Sequence, residues 1–274
     1  MLTLALRETS RIPIEIEGIT PDRLQALSLS AVCQMPVRIG NRTLSLCELF
    51  TIEGDPADAV IRFNGNLECV KGIGAGMASG RIVAEQVGIH AGARMTGGTL
   101  ELASVGNWLG AEMRGGRIVV NGNAGNSVGG AYLGSRLGLT GGEIIVLGTA
   151  GDEVGNRMRR GLIAVNGRCG ELAGASMIAG SLFALGGVGE RAGAGMKRGT
   201  IVVGTPDVDL PRSFAYSCEY RPSFLSIYFQ YLASIAHFDK LDLLQQPSQM
   251  FRCYRGDLLT GGRGEVFQTL SELT

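Results

Sequence analysis

Lysine is nearly missing from this 274-residue chain, occurring only at 71, 197 and 240. Histidine occurs twice (His90, His237) and tryptophan once (Trp108). Acids and bases balance at 25 each, so no bulk attraction to nucleic acid or to a membrane surface is expected. No apolar run approaches the ~20 residues that span a bilayer. The N-terminal stretch carries acids early (Glu8, Glu15) and no long apolar core, which argues against a secretory signal. The six cysteines (33, 47, 69, 169, 218, 253) have no C-x-x-C spacing, and read as reduced, mostly buried thiols of a cytoplasmic protein. Walker loop and H-E-x-x-H motifs are missing, and no His, Cys or carboxylate spacing suggests a metal site. Neither a catalytic nor a metal residue is assigned on these grounds.

What the chain does have is glycine, 43 residues, nearly all in the central stretch, where one phrase recurs. The phrase is G-x-x-M-x-x-G followed by an apolar stretch, as in Gly74–Ala84, Gly92–Leu102, Gly110–Val120, Gly155–Val165, Gly174–Ala184 and Gly193–Val203. A degenerate copy, Leu139–Val146, has Leu139 in place of Met. The second Gly falls at 80, 98, 116, 142, 161, 180 and 199, giving steps of 18, 18, 26, 19, 19 and 19. A period this regular is the signature of a stacked array. The phrase is too short and too Gly-rich for helix pairs, whereas Ile and Val favour strands. Alternation then turns the outer residues of each triplet, such as Ile118 and Val120, inward, and turns the residue after the second Gly outward. Met77, Met95, Met113, Met158, Met177 and Met196 would form an internal apolar ladder, the thioether metal site being the rival reading. The expected fold is mainly β: a right-handed parallel β-helix of about seven coils, roughly 34 Å long at ~4.8 Å per coil. The longer step holds an insertion, Tyr132–Gly138, expected to emerge as a loop on one face.

The ends fall outside the repeat, and the expected division is 1–58, 59–205 and 206–274. The first segment reads as strands at Leu2–Leu6, Ile12–Ile16 and Val37–Ile39. A helix from Thr20-Pro21-Asp22 to about Leu27 is capped by the Thr20 hydroxyl, and a second runs over Leu44–Leu49. Ala59–Gly65 resembles a triplet region and would open the array, as an atypical terminal element. After Pro206–Pro211 the pattern breaks, and Pro222–Phe238 reads as a helix apolar around most of its girth. It serves either as an end cap or as a docking element for a partner.

Gly74-x-Gly76 and Gly193-x-Gly195 superficially match a dinucleotide fingerprint, but the repeat itself generates the match, without a following helix. Asn64-Gly65, Asn121-Gly122 and Asn166-Gly167 read as left-handed turn residues. His90 reads as a solvated or hydrogen-bonded coil residue. One charged pattern remains: Arg94, Arg114, Arg117, Arg157, Arg159, Arg160, Lys197 and Arg198 gather at one corner of the repeat. Stacking would align them as a stripe. It is either a solvated edge or a surface for an anionic ligand tail or partner, with Arg157, Arg159, Arg160, Lys197 and Arg198 the candidate contacts.

The repeat resembles the Gly-rich β-helical domain at the C-terminus of glutamate synthase. It is more similar to the C-subunit of formylmethanofuran dehydrogenase, a likeness that also takes in Ile19-Thr20-Pro21 and the tail Tyr254-Arg255-Gly256-Asp257-Leu258…Gly261-Gly262-Arg263-Gly264-Glu265. The family implies one of two settings. One is the archaeal tungsten or molybdenum dehydrogenase. The other is the bacterial formyltransferase/hydrolase complex, which moves a formyl group from methylofuran to tetrahydromethanopterin and releases formate. The preference for Arg over Lys favours the bacterial setting. In either, the resemblance implies a non-catalytic subunit that binds no cofactor itself. The partners it implies are an amidohydrolase-like metal subunit, a formyltransferase subunit and a further chain. A stand-alone β-helical lyase or hydrolase is the rival class. It would display paired outer carboxylates, whereas Glu101 and Glu143 are not aligned as a pair. A free-standing binding module would leave the apolar C-terminal helix uncovered.

Overall fold

The apolar triplets form strands, and each strand pairs in parallel with that of the next repeat. The structure, a computed structural model, describes residues 1–239, 241–246 and 248–270. Strands Arg81–Val87, Thr99–Val105, Arg117–Val120, Glu143–Val146, Leu162–Val165, Ser181–Ala184 and Arg198–Val203 follow one another with no slip in register. Even across the 26-residue step Arg117 faces Glu143, so the insertion leaves the ladder intact. Val60–Asn64 precedes them as the expected opening strand, with Val60 facing Arg81.

Two further ladders tie the same repeats together. Backbone N–H groups of Thr96, Arg114, Thr140, Arg159, Ile178 and Lys197 donate to the carbonyls of Met77, Met95, Met113, Leu139, Met158 and Met177 at 2.7–2.8 Å. Isolated parallel bridges join Val105, Ala124, Ala150 and Cys169. Beside that row the Asn107 side-chain oxygen accepts from the N–H of Asn126, Asn126 from that of Asp152, and Asp152 from that of Glu171. These side chains bond backbone donors that would otherwise lack partners at the turns.

The Met and Gly positions of the phrase serve one contact. A Cβ at Gly98 would lie 3.1 Å from the Met77 methyl; at Gly116 it would lie 2.7 Å from that of Met95, and at Gly142 2.8 Å from that of Met113. Each methionine from Met77 to Met177 thus packs its methyl on the second glycine of the following repeat, where the backbone also has positive φ. All six methionines and Leu139 are fully buried, as are the inward pairs from Ile82/Ala84 to Ile201/Val203, which confirms the inward register.

The result is mainly β, with thirteen strands in one mostly parallel sheet. Antiparallel pairing is confined to its ends. Phe50–Gly54 pairs with Leu2–Leu6, and at the other end Phe251–Gly256 joins Ala215–Tyr220 to Arg263–Thr269. Arg263–Thr269 is an eighth rung of the repeat. It pairs parallel with Arg198–Val203 and sets Gly264 opposite Gly199, where the Met196 methyl lies 2.5 Å from a Cβ added at Gly264. The chain therefore returns to the repeat after an excursion from 204 to 262. Asp257 secures the return by accepting from the N–H groups of Gly195 (3.0 Å) and Leu259 (2.9 Å). Burial opposes its charge, but those bonds still hold its pKa below the ordinary value.

That excursion covers the outer face of the sheet. Its helix, Leu225–Ile235, buries Leu225, Phe229 and Leu232 against Ile145, Ala164, Phe183 and Val202, the middle residues of four triplets. This is a second core, back to back with the first. The helix lies on the face of the array, which overturns the end-cap alternative of the two offered by the sequence, and it is shorter than 222–238. Leu162 and Ser181 point away from the first core as expected, but they are buried beneath this cover. Polar bonds fasten it: Ser181 Oγ donates to Tyr228 Oη at 3.1 Å, Tyr231 Oη to Glu143 at 2.6 Å, and Asn166 Nδ2 to Asp239 at 3.0 Å.

Several local expectations are corrected. The Thr20 N-cap hydroxyl is buried without a hydrogen-bond partner among the described residues, and its helix ends at Leu24. Asn121 and Asn166 lack positive φ; the left-handed role falls to others, His90, Arg94, Trp108 and Arg157 among them. Cys33 and Cys47 form a disulfide, because helices Leu29–Cys33 and Leu46–Leu49 bring their Cα atoms to 4.8 Å. Of the other four, Cys169 and Cys253 are buried, Cys69 is half-buried and Cys218 is exposed, so the expectation of six reduced, mostly buried thiols is not met.

Candidate functional site: a basic corner and a docked insertion

The corner stripe separates into parts with different electrostatics. Arg94 pairs with Glu112 at 3.0 Å and Arg117 with Glu143, and Arg117 also donates to Tyr231 Oη at 3.2 Å. These charges are already met. Arg157, in the left-handed region at φ +55°, donates to the carbonyl of Ser135 and so holds the insertion. Arg159, Arg160, Lys197 and Arg198 remain exposed and have no acidic partner among the described residues.

Their spacing makes a groove. Arg159-Arg160 precede the second Gly of one repeat, and Lys197-Arg198 precede it two repeats later. The repeat between offers only Ile178, Ala179 and Gly180 at the same positions, so a shallow floor lies between two cationic walls ~10 Å apart. The eighth rung adds Arg263 directly opposite Arg198. The sequence stripe omitted Arg263, because membership of the repeat shows only once Gly264 is aligned with Gly199. Uncompensated like charges this close repel one another and are relieved by an anion.

The insertion folds back onto the neighbouring turns. The Tyr132 ring lies 5.1 Å from that of Trp108 and 5.5 Å from that of His90, and the His90 and Trp108 rings stack at 6.5 Å. His90 Nδ1 bonds Tyr132 Oη at 2.8 Å, and the Arg94 guanidinium sits 5.4 Å from the Tyr132 centroid. Burial, then the nearby Lys71 charge, lowers the His90 pKa; burial pushes the Tyr132 phenol up to about 12. Both groups are therefore mainly neutral near pH 7, and their bond ties the insertion to the turn that carries His90. The loop tip presents Leu133, 97% exposed. The sequence reading of His90 as a bonded coil residue holds, but its partner could not be read from 42 residues away. Beyond the docked loop His237 lies exposed, 3.7 Å from Asp239. Among the described residues no group of three His, Cys, Asp or Glu side chains is placed to hold a metal ion. What the arrangement offers is recognition: a cationic groove, an aromatic ledge with an apolar tip, and a helix whose outer side exposes Ile227 and Tyr231.

No family model matches the chain. Among solved structures, it is similar to a chain in the crystal structure of the formyltransferase/hydrolase complex (FhcABCD) from Methylorubrum extorquens in complex with methylofuran. The TM-score is 0.89 at 33% identity, over 97% of this chain and 98% of that one. Among curated proteins, it is 40% identical over 84 residues to the C-subunit of the molybdenum-containing formylmethanofuran dehydrogenase 1 of Methanothermobacter thermautotrophicus. It is 35% identical over 83 residues to the C-subunit of the tungsten-containing formylmethanofuran dehydrogenase 2 of Methanococcus maripaludis. These matches span 30% of this chain, and 21% and 30% of those relatives. The end-to-end likeness to the first and the partial likeness to the others agree: the chain belongs to the family of the formylmethanofuran dehydrogenase C-subunit and its counterpart in the formyltransferase/hydrolase complex.

Proposed function

We propose that this chain is a non-catalytic assembly subunit of a cytoplasmic formyltransferase/hydrolase complex of one-carbon metabolism. The observation that carries the reading is the likeness over 97% of the chain to a chain of such a complex. In that role partner subunits transfer the formyl group from methylofuran to tetrahydromethanopterin and release formate. The partners are an amidohydrolase-like metal chain, a formyltransferase chain and a further subunit. The scaffold is a right-handed parallel β-helix at 59–205, which Arg263–Thr269 extends by one rung, with 1–58 and the remainder of 206–274 as flanking units; the three in-register ladders support the winding. Co-expression tests the reading. With the partner chains it gives a stoichiometric complex, whereas the chain alone is insoluble or self-associated. A well-behaved monomer that ignores those partners contradicts it.

The second reading, the C-subunit of an archaeal-type tungsten or molybdenum dehydrogenase, is favoured by the 40% identity over 84 residues, a higher identity over a shorter stretch.

Two expectations follow. Replacing Arg159, Arg160, Lys197 and Arg198 together by Ser weakens assembly or binding of an anionic carrier tail, and flattens its salt dependence. Single changes are nearly silent, because each exposed ion pair contributes only ~0–1 kcal/mol. Co-purification and carrier binding at low and high salt read this out; identical behaviour at every salt concentration makes the groove a solvated edge. Separately, His90→Ala and His237→Ala leave turnover of the assembled complex within a few fold of wild type. A loss of ~100-fold with the complex intact, the scale of removing a general base, contradicts the non-catalytic role.

A further inference from the structure

The last strand of the sheet, Ala215–Tyr220, is exposed along its whole length and, among the described residues, pairs with one strand, its antiparallel partner Phe251–Gly256. In that pairing Cys218 stands directly opposite Cys253. A bulge between Tyr216 and Cys218 decides which face each residue takes. Before the bulge, Tyr216 meets Tyr254 on one face, with ring centroids 6.2 Å apart. After it, Tyr220 meets Phe267, 5.9 Å away, on the face that belongs to the second core. Cys253 is part of that core, so Cys218, two residues before Tyr220, shares its face. Directly opposed residues of an antiparallel pair have Cβ atoms about 4.5–5.5 Å apart, close to the 3.5–4.5 Å a disulfide needs.

We propose that Cys218 and Cys253 form a reversible cross-strand dithiol–disulfide site, which low-molecular-weight disulfides oxidise and which staples the edge strand to the sheet. The two thiols are unequal. Cys218 is exposed and Cys253 is 1% exposed. Burial, then the nearby Glu265 and Cys218, pushes the Cys253 thiol up to about 11, so Cys253 is protonated at neutral pH and follows. The Cys218 thiolate attacks one sulfur of the small disulfide R–S–S–R, forms a mixed disulfide and releases R–S⁻. Cys253 then gives up its proton to solvent and attacks the Cys218 sulfur. The second R–S⁻ leaves, and the Cys218–Cys253 bond forms. Two protein thiols lose two electrons and two protons, and the oxidant becomes two thiols. The bond closes the segment 218–253, which carries the covering helix Leu225–Ile235, so oxidation fixes the cover at both ends.

The test treats the full chain, co-purified with its partner subunits, with oxidised glutathione and maps its cysteine peptides before and after dithiothreitol. The proposal expects the peptide of Cys218 linked to that of Cys253, reversal by reductant, a higher thermal midpoint for the oxidised form, and slower proteolysis between 221 and 250. Cys253→Ser is expected to stop at a stable glutathione adduct on Cys218. Cys218→Ser, a change at an exposed position that leaves the second core alone, is expected to yield neither adduct nor cross-link at Cys253. The proposal is overturned if the wild-type folded chain halts at the glutathione adduct with Cys253 still free, or if Cys218 pairs with any other cysteine.

Discussion

Met113→Asp unfolds the array or leaves it insoluble. Removing the buried Met side chain forfeits about 2–5 kcal/mol by the usual scale of large-to-small core changes. The new carboxylate then sits where its neighbours are Met95, Leu139 and Ile118, all fully buried, and must lose its charge or its solvation. The sum rivals the ~5–15 kcal/mol that keeps a domain folded. Met113→Leu is the matched control. The chain itself places Leu139 in this column, packed 3.1 Å from a Cβ added at Gly161, so the conservative change costs less than ~1.5 kcal/mol. Thermal melting and the soluble fraction measure both; an Asp variant that melts like wild type would turn the methionine column outward.

Phe229→Asp detaches the cover. Phe229 is 2% exposed, touches the Phe183 ring at 6.0 Å and stacks with Phe251 at 6.4 Å. Truncating a buried aromatic costs about 3–5 kcal/mol, and the charge adds a desolvation penalty. Only the second core feels this, because the Met ladder lies on the other side of the sheet. The expected result is a folded array with a released helix. Proteolysis between 221 and 250 accelerates, a hydrophobic dye binds, and far-UV strand signal persists. Cooperative loss of all structure would instead make the two cores one folding unit.

The chain displays its first core openly. G-x-x-M-x-x-G recurs because a methyl must land on a Cα at every step, and that requirement repeats in sequence at the step of the array. The second core was also written there, though less visibly. The middle residues of the triplets run Val83, Glu101, Val119, Ile145, Ala164, Phe183 and Val202; the last polar one is Glu101, and the five after it are all apolar. A solvated outer face would have kept polar residues there, and that apolar run marks where the helix lies. The eighth rung was harder to see, since Gly264-Glu265-Val266 lacks the preceding Met phrase and follows an excursion. At the basic corner, identity and period gave Arg159, Arg160, Lys197 and Arg198, but not which arginines were already neutralised. The partners Glu112, Glu143 and Ser135 come from other repeats or the insertion, and those contacts exist only after stacking. The Cys33–Cys47 pairing likewise depends on how two short helices meet, which no spacing rule encodes.

The central claim, an assembly role in a formyltransferase/hydrolase complex, is tested most directly in the native cell. The chain is tagged, purified under non-denaturing conditions, and every co-purifying polypeptide is identified and quantified by mass spectrometry. The account predicts stoichiometric formyltransferase and amidohydrolase-like chains, with formyl transfer and formate release in the same fraction. Recovery of the chain alone, or with a tungsten- or molybdenum-bearing oxidoreductase subunit in place of those partners, would contradict it.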